Sequence, residues 1–110
     1  MNDCIFCKLA SGEIPTNKVY EDELCLAFHD MQPLAPQHIL LIPKQHIPSA
    51  AALTKENAAV VSHIFCVIAK LMEGKENGFR VVTNSGKDAG QTVQHLHFHV
   101  LSGQTLGSFH

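Results

Sequence analysis

Three histidines alternate with apolar residues near the end of the sequence, in the stretch His95-Leu96-His97-Phe98-His99. Successive side chains of a β-strand point to opposite faces, so the stretch predicts three imidazoles on one face and apolar side chains on the other. Neighbouring imidazoles would lie roughly 6.5–7 Å apart along the strand. An ordinary half-buried strand is the alternative, but three evenly spaced histidines on one face favour a functional site.

Two kinds of chemistry suit three imidazoles on one face. All three can bind a single metal ion, or one imidazole can attack an electrophile while another supplies or accepts a proton. A neutral imidazole is a nucleophile at neutral pH because its ordinary pKa is about 6.5. The spacing alone does not distinguish a metal site from a nucleophilic site.

Cys4 and Cys7 form a second candidate site, because two residues separate them. This spacing is typical of zinc ligands, and it also occurs in redox-active dithiols. The redox interpretation expects the pair after a strand and at the beginning of a long helix, whereas here it lies in the first seven residues. Thiols without a function are the third alternative. Cys25 and Cys66 are expected to be small side chains of the core.

Sheet and helix patterns predict how these residues are positioned. Apolar and alternating segments predict five strands, at residues 18–21, 24–29, 37–43, 79–84 and 94–101. A short helix is predicted before Gly12, and a long helix extends from an N-cap at Thr54 to the residues before Gly74. Short connections favour antiparallel pairing, so we expect an α+β fold with a five-stranded antiparallel sheet and the long helix on one face.

The long helix is expected to bury one apolar face against the sheet. Residues at three- and four-residue spacing define this face: Ala58, Val61, Phe65, Ile68 and Met72, joined by Ile64 and Leu71. His63 is expected on the helix surface and His110 in the tail, and neither has an evident partner in the sequence.

Composition limits the classes of protein that fit. The 110 residues are 45% hydrophobic and 16% charged, which predicts one globular domain spanning residues 1–110. The net charge of −2 provides no basic field for nucleic acid. No apolar run approaches the ~20 residues of a membrane span, and the first residues do not look like a secretory signal. We therefore expect a cytoplasmic protein whose four cysteines form no structural disulfides.

The sequence resembles the histidine triad proteins, whose signature is His-x-His-x-His followed by two apolar residues. Residues 90–101 carry that signature after a Gly-Gln-x-Val lead-in. Residues 6–15, 27–46 and 80–86 agree with further family segments in the same order. The resemblance covers nearly the whole chain and is closest to the Hint-like nucleotide-binding branch. It implies a homodimer with a continuous ten-stranded sheet and no organic cofactor.

The resemblance also implies an activity and roles for individual residues. It implies binding of purine nucleoside monophosphates and hydrolysis of nucleoside phosphoramidates through a nucleotidyl-histidine intermediate. His97 matches the nucleophile, and His99 matches the histidine that contacts the phosphate and the leaving group. His95 matches the supporting triad member, His38 matches a histidine behind the nucleophile, and Asp30 matches the carboxylate that binds ribose. The other implied nucleotide contacts are Phe6, Leu9, Ile14, Phe28, His29, Met31 and Leu40 around base and ribose, and Asn84, Gly90, Gln91, Thr92 and Val93 around phosphate.

Some bacterial histidine triad proteins bind structural zinc through a Cys-x-x-Cys pair. The resemblance therefore implies a zinc site formed by Cys4, Cys7, His46 and His95. Four protein ligands leave no open coordination position, so such a zinc ion would be structural.

Two other functions stay open at this point. One is a nucleotide-binding regulatory module whose hydrolysis is incidental, and the other is a dinucleoside polyphosphate hydrolase of a neighbouring branch. The compact tail after Leu106 disfavours the second, because that branch usually has a longer C-terminus. Residues 102–104 are Ser-Gly-Gln where Gly-Gly-Arg is common in the family, so a positive charge near the site is missing.

Overall fold

The computed structural model describes residues 3–108 and contains one five-stranded antiparallel sheet with two helices. The predicted fold class is confirmed. The strands are β1 (Lys18–Glu21), β2 (Cys25–His29), β3 (Gln37–Pro43), β4 (Arg80–Val82) and β5 (Phe98–Ser102), and their order in the sheet is β1-β2-β3-β5-β4. Helix α1 (Ile5–Ala10) precedes β1, and helix α2 (Ala59–Leu71) connects β3 to β4. No helix of the described chain is long and apolar enough to cross a membrane.

The sheet separates two apolar cores, because alternate residues of each strand point to opposite faces. The core on the α2 side includes Ile39, Leu41, Phe98, Val100, Ile64 and Ile68. The core on the α1 side includes Leu26, Phe28, Leu40, Ile42, Phe6 and Leu9. Leu96, Phe98 and Val100 all lie in the α2 core, which confirms the predicted apolar face of the histidine stretch.

The histidine stretch joins the sheet later than the alternation predicts. β5 begins at Phe98, which pairs with Leu41, and residues 94–97 lie outside the strand. The backbone there has other partners: Leu96 N–H donates to the Ile47 carbonyl at 2.6 Å, and the His97 carbonyl accepts a hydrogen bond from Thr83 Oγ1 at 2.7 Å. These bonds hold the stretch beside the sheet, so the histidines keep to the face opposite the α2 core.

Helix α2 begins one turn after the predicted N-cap, and the predicted apolar face is confirmed at Ile64, Ile68 and Met72, which are buried. Thr54 Oγ1 accepts the Glu56 amide at 3.2 Å and so caps a separate turn, whereas the helix itself begins at Ala59. The buried side chains of the helix are Val60, Ile64, Val67 and Ile68. The predictions for Phe65 and Cys66 are wrong, because Phe65 is 45% exposed and Cys66 is exposed, whereas Cys25 is buried as predicted. Val60 and Val67 complete the buried stripe but were not part of the predicted face, because apolar residues surround most of this helix and leave the edges of the stripe undetermined.

The β1–β2 hairpin is attached to α2 through the carboxylate of Asp22. Its Oδ1 accepts the backbone amides of Leu24 and Cys25, and its Oδ2 accepts Tyr20 Oη–H at 2.7 Å and His63 Nε2–H at 2.6 Å. Partial burial alone would raise the pKa of Asp22, but these hydrogen bonds hold it well below its usual value. The expectation that His63 has no partner is therefore wrong. The expectation for His110 concerns a residue outside the described part of the chain.

Candidate active site and metal cluster

His38, His97 and His99 meet on the sheet face that α1 partly covers. His99 lies opposite Leu40 in the β3–β5 ladder, and its ring centroid is 5.1 Å from that of His97 and 5.1 Å from that of His38. His38 and His97 are buried, and His99 is half-buried. The structure thus brings together three of the four histidines to which the sequence assigned catalytic roles.

The backbone fixes which nitrogen of His97 carries the proton. Nδ1 of His97 lies 2.7 Å from the carbonyl oxygen of His95, and a carbonyl oxygen only accepts hydrogen bonds. Nδ1 therefore holds the proton of the neutral ring, and Nε2 holds a lone pair. The edge-to-face contact with Phe6, at 5.0 Å between centroids, restrains the orientation of the ring. A lone pair on an oriented ring is what a nucleophile requires.

His99 carries its proton on Nε2, unlike His97, because of its hydrogen bond with His38. The backbone N–H of Leu34 donates to Nδ1 of His38 at 3.0 Å, so the proton of neutral His38 lies on Nε2. That Nε2 is 2.9 Å from Nδ1 of His99, which must accept the hydrogen bond. The proton of His99 consequently lies on Nε2. His97 and His99 thus combine a lone pair with an N–H donor on neighbouring rings.

Burial lowers the pKa values of His38 and His99, which favours the neutral form of both rings at physiological pH. Burial lowers the pKa of His38, although the charge of Asp30 opposes this shift. Burial, and then the proximity of His97 and His38, lower the pKa of His99 to about 4. A ring that is neutral carries one proton, so the hydrogen bonds of its partners determine its tautomer.

Asp30 and the apolar positions implied for the nucleotide border this histidine group. Oδ2 of Asp30 lies 3.4 Å from Nε2 of His38, and its Oδ1 accepts the Gln32 amide at 2.7 Å. The buried apolar positions are Phe6, Leu9, Phe28 and Leu40, against which Ile14 and Val93 pack as partly buried residues. His29 is exposed, and Met31 is exposed over 89% of its surface.

The loop before the triad is shaped by the side chain of Gln91. Its Oε1 accepts the Gly86 amide at 2.8 Å, and its Nε2 donates to the carbonyls of Pro48 and Val93 at 2.8 and 2.9 Å. Gln91 is buried, so its side chain holds the loop in shape. Gly90 closes the preceding turn with a φ of +88°, a conformation that favours glycine. The roles of Asn84, Gly90 and Thr92 in binding phosphate stay predictions.

Cys4, Cys7, His46 and His95 come together in a compact cluster. Nδ1 of His95 is 3.3 Å from Cys4 Sγ and 3.5 Å from Cys7 Sγ, and Nδ1 of His46 is 3.2 Å from Cys7 Sγ. Sulfur and nitrogen ligands of one tetrahedral zinc ion lie about 3.6 Å apart, given the usual bond lengths. The four donor atoms therefore fit a zinc ion in both chemistry and spacing.

The second ring nitrogen of His95 supports this interpretation. Nε2–H of the buried His95 ring donates to the Pro43 carbonyl at 2.8 Å, which leaves the lone pair on Nδ1, among the sulfur atoms. Histidines that bind metal generally donate their other N–H to such an acceptor. Both ring nitrogens of His95 thereby have contacts, which leaves His97 and His99 as the triad histidines whose Nε2 atoms have no such role in the described part of the chain.

Donor spacing distinguishes this cluster from the group formed by Asp22, Cys25 and His63. Those three residues also place potential ligand atoms near one another, but His63 Nε2 and Asp22 Oδ2 are only 2.6 Å apart. Two ligands of one metal ion do not approach so closely at ordinary bond lengths. The separation is that of a hydrogen bond, and Asp22 connects a hairpin to a helix.

Comparison with known proteins identifies the family of the chain. The HIT domain family model matches residues 11–106, which include the triad but not Cys4 or Cys7. An uncharacterized HIT-like protein of Synechococcus elongatus is 47% identical over 106 residues, covering 94% of this chain and 93% of the relative. A similar HIT-like protein of Helicobacter pylori is 49% identical over 100 residues, covering 90% and 95%.

Solved structures of HIT family proteins also match the chain over nearly its whole length. A histidine triad protein from Clostridium difficile matches with a TM-score of 0.94 and 49% identity, covering 100% of this chain and 98% of that one. A HIT family hydrolase from Clostridium thermocellum matches with a TM-score of 0.94 and 40% identity, covering 99% and 97%. The family model and these relatives together show that the chain belongs to the HIT family.

Proposed function

We propose that this chain is a nucleoside phosphoramidate hydrolase that works through a nucleotidyl intermediate on His97. The observation that carries the proposal is the pairing of a lone pair on His97 Nε2 with an N–H on His99 Nε2, on rings 5.1 Å apart. The lone pair can attack phosphorus. The neighbouring N–H can bind a phosphoryl oxygen or the leaving nitrogen as the reaction proceeds.

The proposed reaction has two displacement steps at phosphorus. His97 Nε2 attacks the α-phosphorus and the P–N bond breaks as the leaving nitrogen takes a proton from solvent, so the amine departs neutral. Water then attacks phosphorus: its oxygen forms the new P–O bond, its proton returns to solvent, and the bond between phosphorus and His97 breaks, which yields a nucleoside monophosphate and the free histidine. During the intermediate, the His97 ring is positively charged, and its Nδ1–H donates to the His95 carbonyl at 2.7 Å. That hydrogen bond becomes stronger when the ring is charged.

Mass spectrometry of a rapidly quenched reaction tests this function. With adenosine 5′-monophosphoramidate as substrate, we expect a nucleotidyl adduct on the peptide that contains His97. Site-resolved fragmentation then assigns the adduct to one residue. An adduct on His95 or His99, or turnover without any adduct, would contradict the proposal.

Asp30 is proposed to bind the ribose hydroxyls of a purine nucleoside monophosphate. Its carboxylate lies at the end of β2, beside the His38–His99 pair and the apolar core at Phe28. An ionised carboxylate accepts hydrogen bonds from both hydroxyls. The apolar side chains implied for the base, and the loop that ends in Gln91, Thr92 and Val93, complete the proposed pocket.

The charge of Asp30 provides a prediction about sugar specificity. Losing charge-assisted hydrogen bonds costs about 1.5–3 kcal/mol, or roughly 10- to 100-fold in affinity. We therefore expect Asp30→Asn to weaken binding of the ribonucleotide far more than binding of the 2′,3′-dideoxynucleotide. Calorimetric titration of both ligands measures the difference. Equal losses would show that Asp30 acts only through the loop that it stabilises with Gln32.

Zinc is proposed as a structural cofactor held by Cys4, Cys7, His46 and His95. The proposal rests on their donor types and spacing. When bound, zinc would fasten the segment around α1 to the residues beside the triad and would contribute stability without chemistry. We further propose that the chain belongs to the Hint-like branch, as a bacterial type with a zinc-binding cysteine pair, and that residues 1–110 form one histidine triad domain.

A homodimer is proposed through the outer edge of β4. Among the described residues β4 pairs with β5 alone, and Phe65 and Phe79 are 45% and 43% exposed. Pairing of two β4 edges would extend the sheet to ten strands and cover apolar surface. We also propose a cytoplasmic location, where reducing conditions keep cysteine thiols from forming disulfides.

A further inference from the structure

The backbone amide of Leu34 belongs to the loop between β2 and β3, and it hydrogen-bonds to the ring of His38. Its N–H donates to Nδ1 of His38 at 3.0 Å, and the His38 ring is only 3% exposed. A backbone amide cannot accept a hydrogen bond from a ring N–H. The contact therefore favours one of the two neutral tautomers of His38, the one with its proton on Nε2.

The tautomer of His38 determines the tautomer of His99. His38 Nε2 and His99 Nδ1 are 2.9 Å apart, so only one of these two nitrogens carries the shared proton. With the His38 proton on Nε2, His99 presents an N–H at its own Nε2. With the opposite tautomer of His38, His99 would present a lone pair there. Two lone pairs, one on His97 and one on His99, would then face an anionic phosphate, which repels both.

We infer that the Leu34 amide is a positioning group that keeps His99 in the tautomer whose Nε2–H donates a hydrogen bond at the nucleotide site. The inference rests on the proposed function, because it concerns the chemistry of the same pocket. It explains why His97 presents a lone pair at Nε2 whereas the neighbouring His99 presents an N–H at Nε2. The identity of the residue at position 34 matters little, since the contact is made by its backbone.

The loop is built to hold this amide in place. Pro33 precedes Leu34. The pyrrolidine ring fixes the φ angle of Pro33 itself, which restricts the backbone directly before the Leu34 amide. Pro36 lies against Gly103, where an added Cβ would be only 2.8 Å from Pro36 Cβ. The Leu34 side chain is 76% exposed, so packing of that side chain does not account for the position of the amide. The charge of Asp30, 3.4 Å from His38 Nε2, favours the same tautomer from the opposite side of the ring.

Nitrogen NMR of the uniformly ¹⁵N-labelled wild-type protein tests the assignment without any substrate. We expect a scalar coupling across the hydrogen bond between Leu34 N and His38 Nδ1, and another between His38 Nε2 and His99 Nδ1. We also expect His99 Nε2 to have the chemical shift of a protonated ring nitrogen. Protonation at Nδ1 of His38 would overturn the inference.

Replacing the Leu34 amide with an ester tests its effect on catalysis. Incorporating the α-hydroxy acid analogue of leucine removes the N–H and keeps the side chain. The matched control is the same replacement at Leu53, whose N–H donates to the Ala50 carbonyl at 3.2 Å, outside the site. We expect the Leu34 ester to lower kcat about tenfold with little change in KM, which is the effect of one ordinary hydrogen bond. We also expect mixed tautomers at His99.

The control ester should change neither kcat nor the ring-nitrogen signals. Equal kcat values and equal His99 spectra for the two esters would overturn the inference. The failure of the proposed function would look different, because wild type would then not hydrolyse phosphoramidates while its ring nitrogens still showed the expected tautomers. Normal hydrolysis with unaltered tautomers in the Leu34 ester would leave the function standing and overturn the role of the amide.

Discussion

His97→Asn should reduce the turnover of adenosine 5′-monophosphoramidate by at least about 10³-fold, because removal of a nucleophile abolishes the covalent route. Binding of adenosine monophosphate should persist, since the proposed pocket walls come from α1, β2 and β3. Single-turnover kinetics together with calorimetric titration separate these two effects. A variant that retained both turnover and binding would remove His97 from the reaction.

The control for this substitution is His63→Asn. His63 is a histidine on α2 that hydrogen-bonds to Asp22 and does not belong to the triad group. Its replacement should lower stability and leave kcat unchanged at temperatures where the protein is folded. A comparable fall in kcat for His63→Asn would show that the His97 effect reflects loss of folded protein.

Removal of zinc should lower the free energy of unfolding by more than any of the substitutions above. The cluster joins residues around α1 to His46 and to His95, and a metal that binds only the folded chain adds its binding free energy to folding. We expect Cys7→Ser, or chelation, to cost about 3–4 kcal/mol and to lower Tm by more than ~10 °C. Differential scanning calorimetry and elemental analysis, with an expected stoichiometry of one zinc ion per chain, provide the measurement.

Cys66→Ser is the matched control for zinc, because Cys66 is an exposed cysteine on α2. It should leave both the zinc content and Tm unchanged. Turnover of the Cys7→Ser variant should fall less than turnover of His97→Asn, since the nucleophile is still present. Protein purified without metal, with an unchanged Tm and reactive thiols at Cys4 and Cys7, would falsify the zinc site.

Alternation in the sequence was informative about faces and less informative about boundaries. It correctly assigned Leu96, Phe98 and Val100 to the core, because side-chain direction follows from chain geometry alone. It did not find the beginning of β5, since a strand requires a partner, and residues 94–97 bond to other segments. For α2, the periodicity correctly assigned Ile64, Ile68 and Met72 to the core, but apolar residues on most sides left the edges of the buried stripe undetermined, so Phe65 and Cys66 were assigned to the wrong environment.

In the candidate site, too, the sequence predicted some contacts and missed others. Side-chain patterns identified the triad, and the resemblance to the histidine triad proteins supplied His38, His46 and Asp30. The contacts of Leu34 and Thr83 were missed. Leu34 acts through its backbone, which has no signature in a sequence, and the hydroxyl of Thr83 binds the His97 carbonyl only after β4 and β5 have paired. Interactions of this kind appear only once the fold is known.

The central position of β3 has a consequence for the dynamics of the site. β3 is hydrogen-bonded to β2 on one side and to β5 on the other, and all its residues but Gln37 are buried. Backbone amides in such a strand exchange with solvent only in rare, large openings, whereas an edge strand such as β1 frays at little cost. His38 lies on β3 and His99 on the adjacent β5. The proton-sharing pair therefore stays assembled through the frequent small fluctuations of the sheet edges, and its lifetime approaches that of the folded protein.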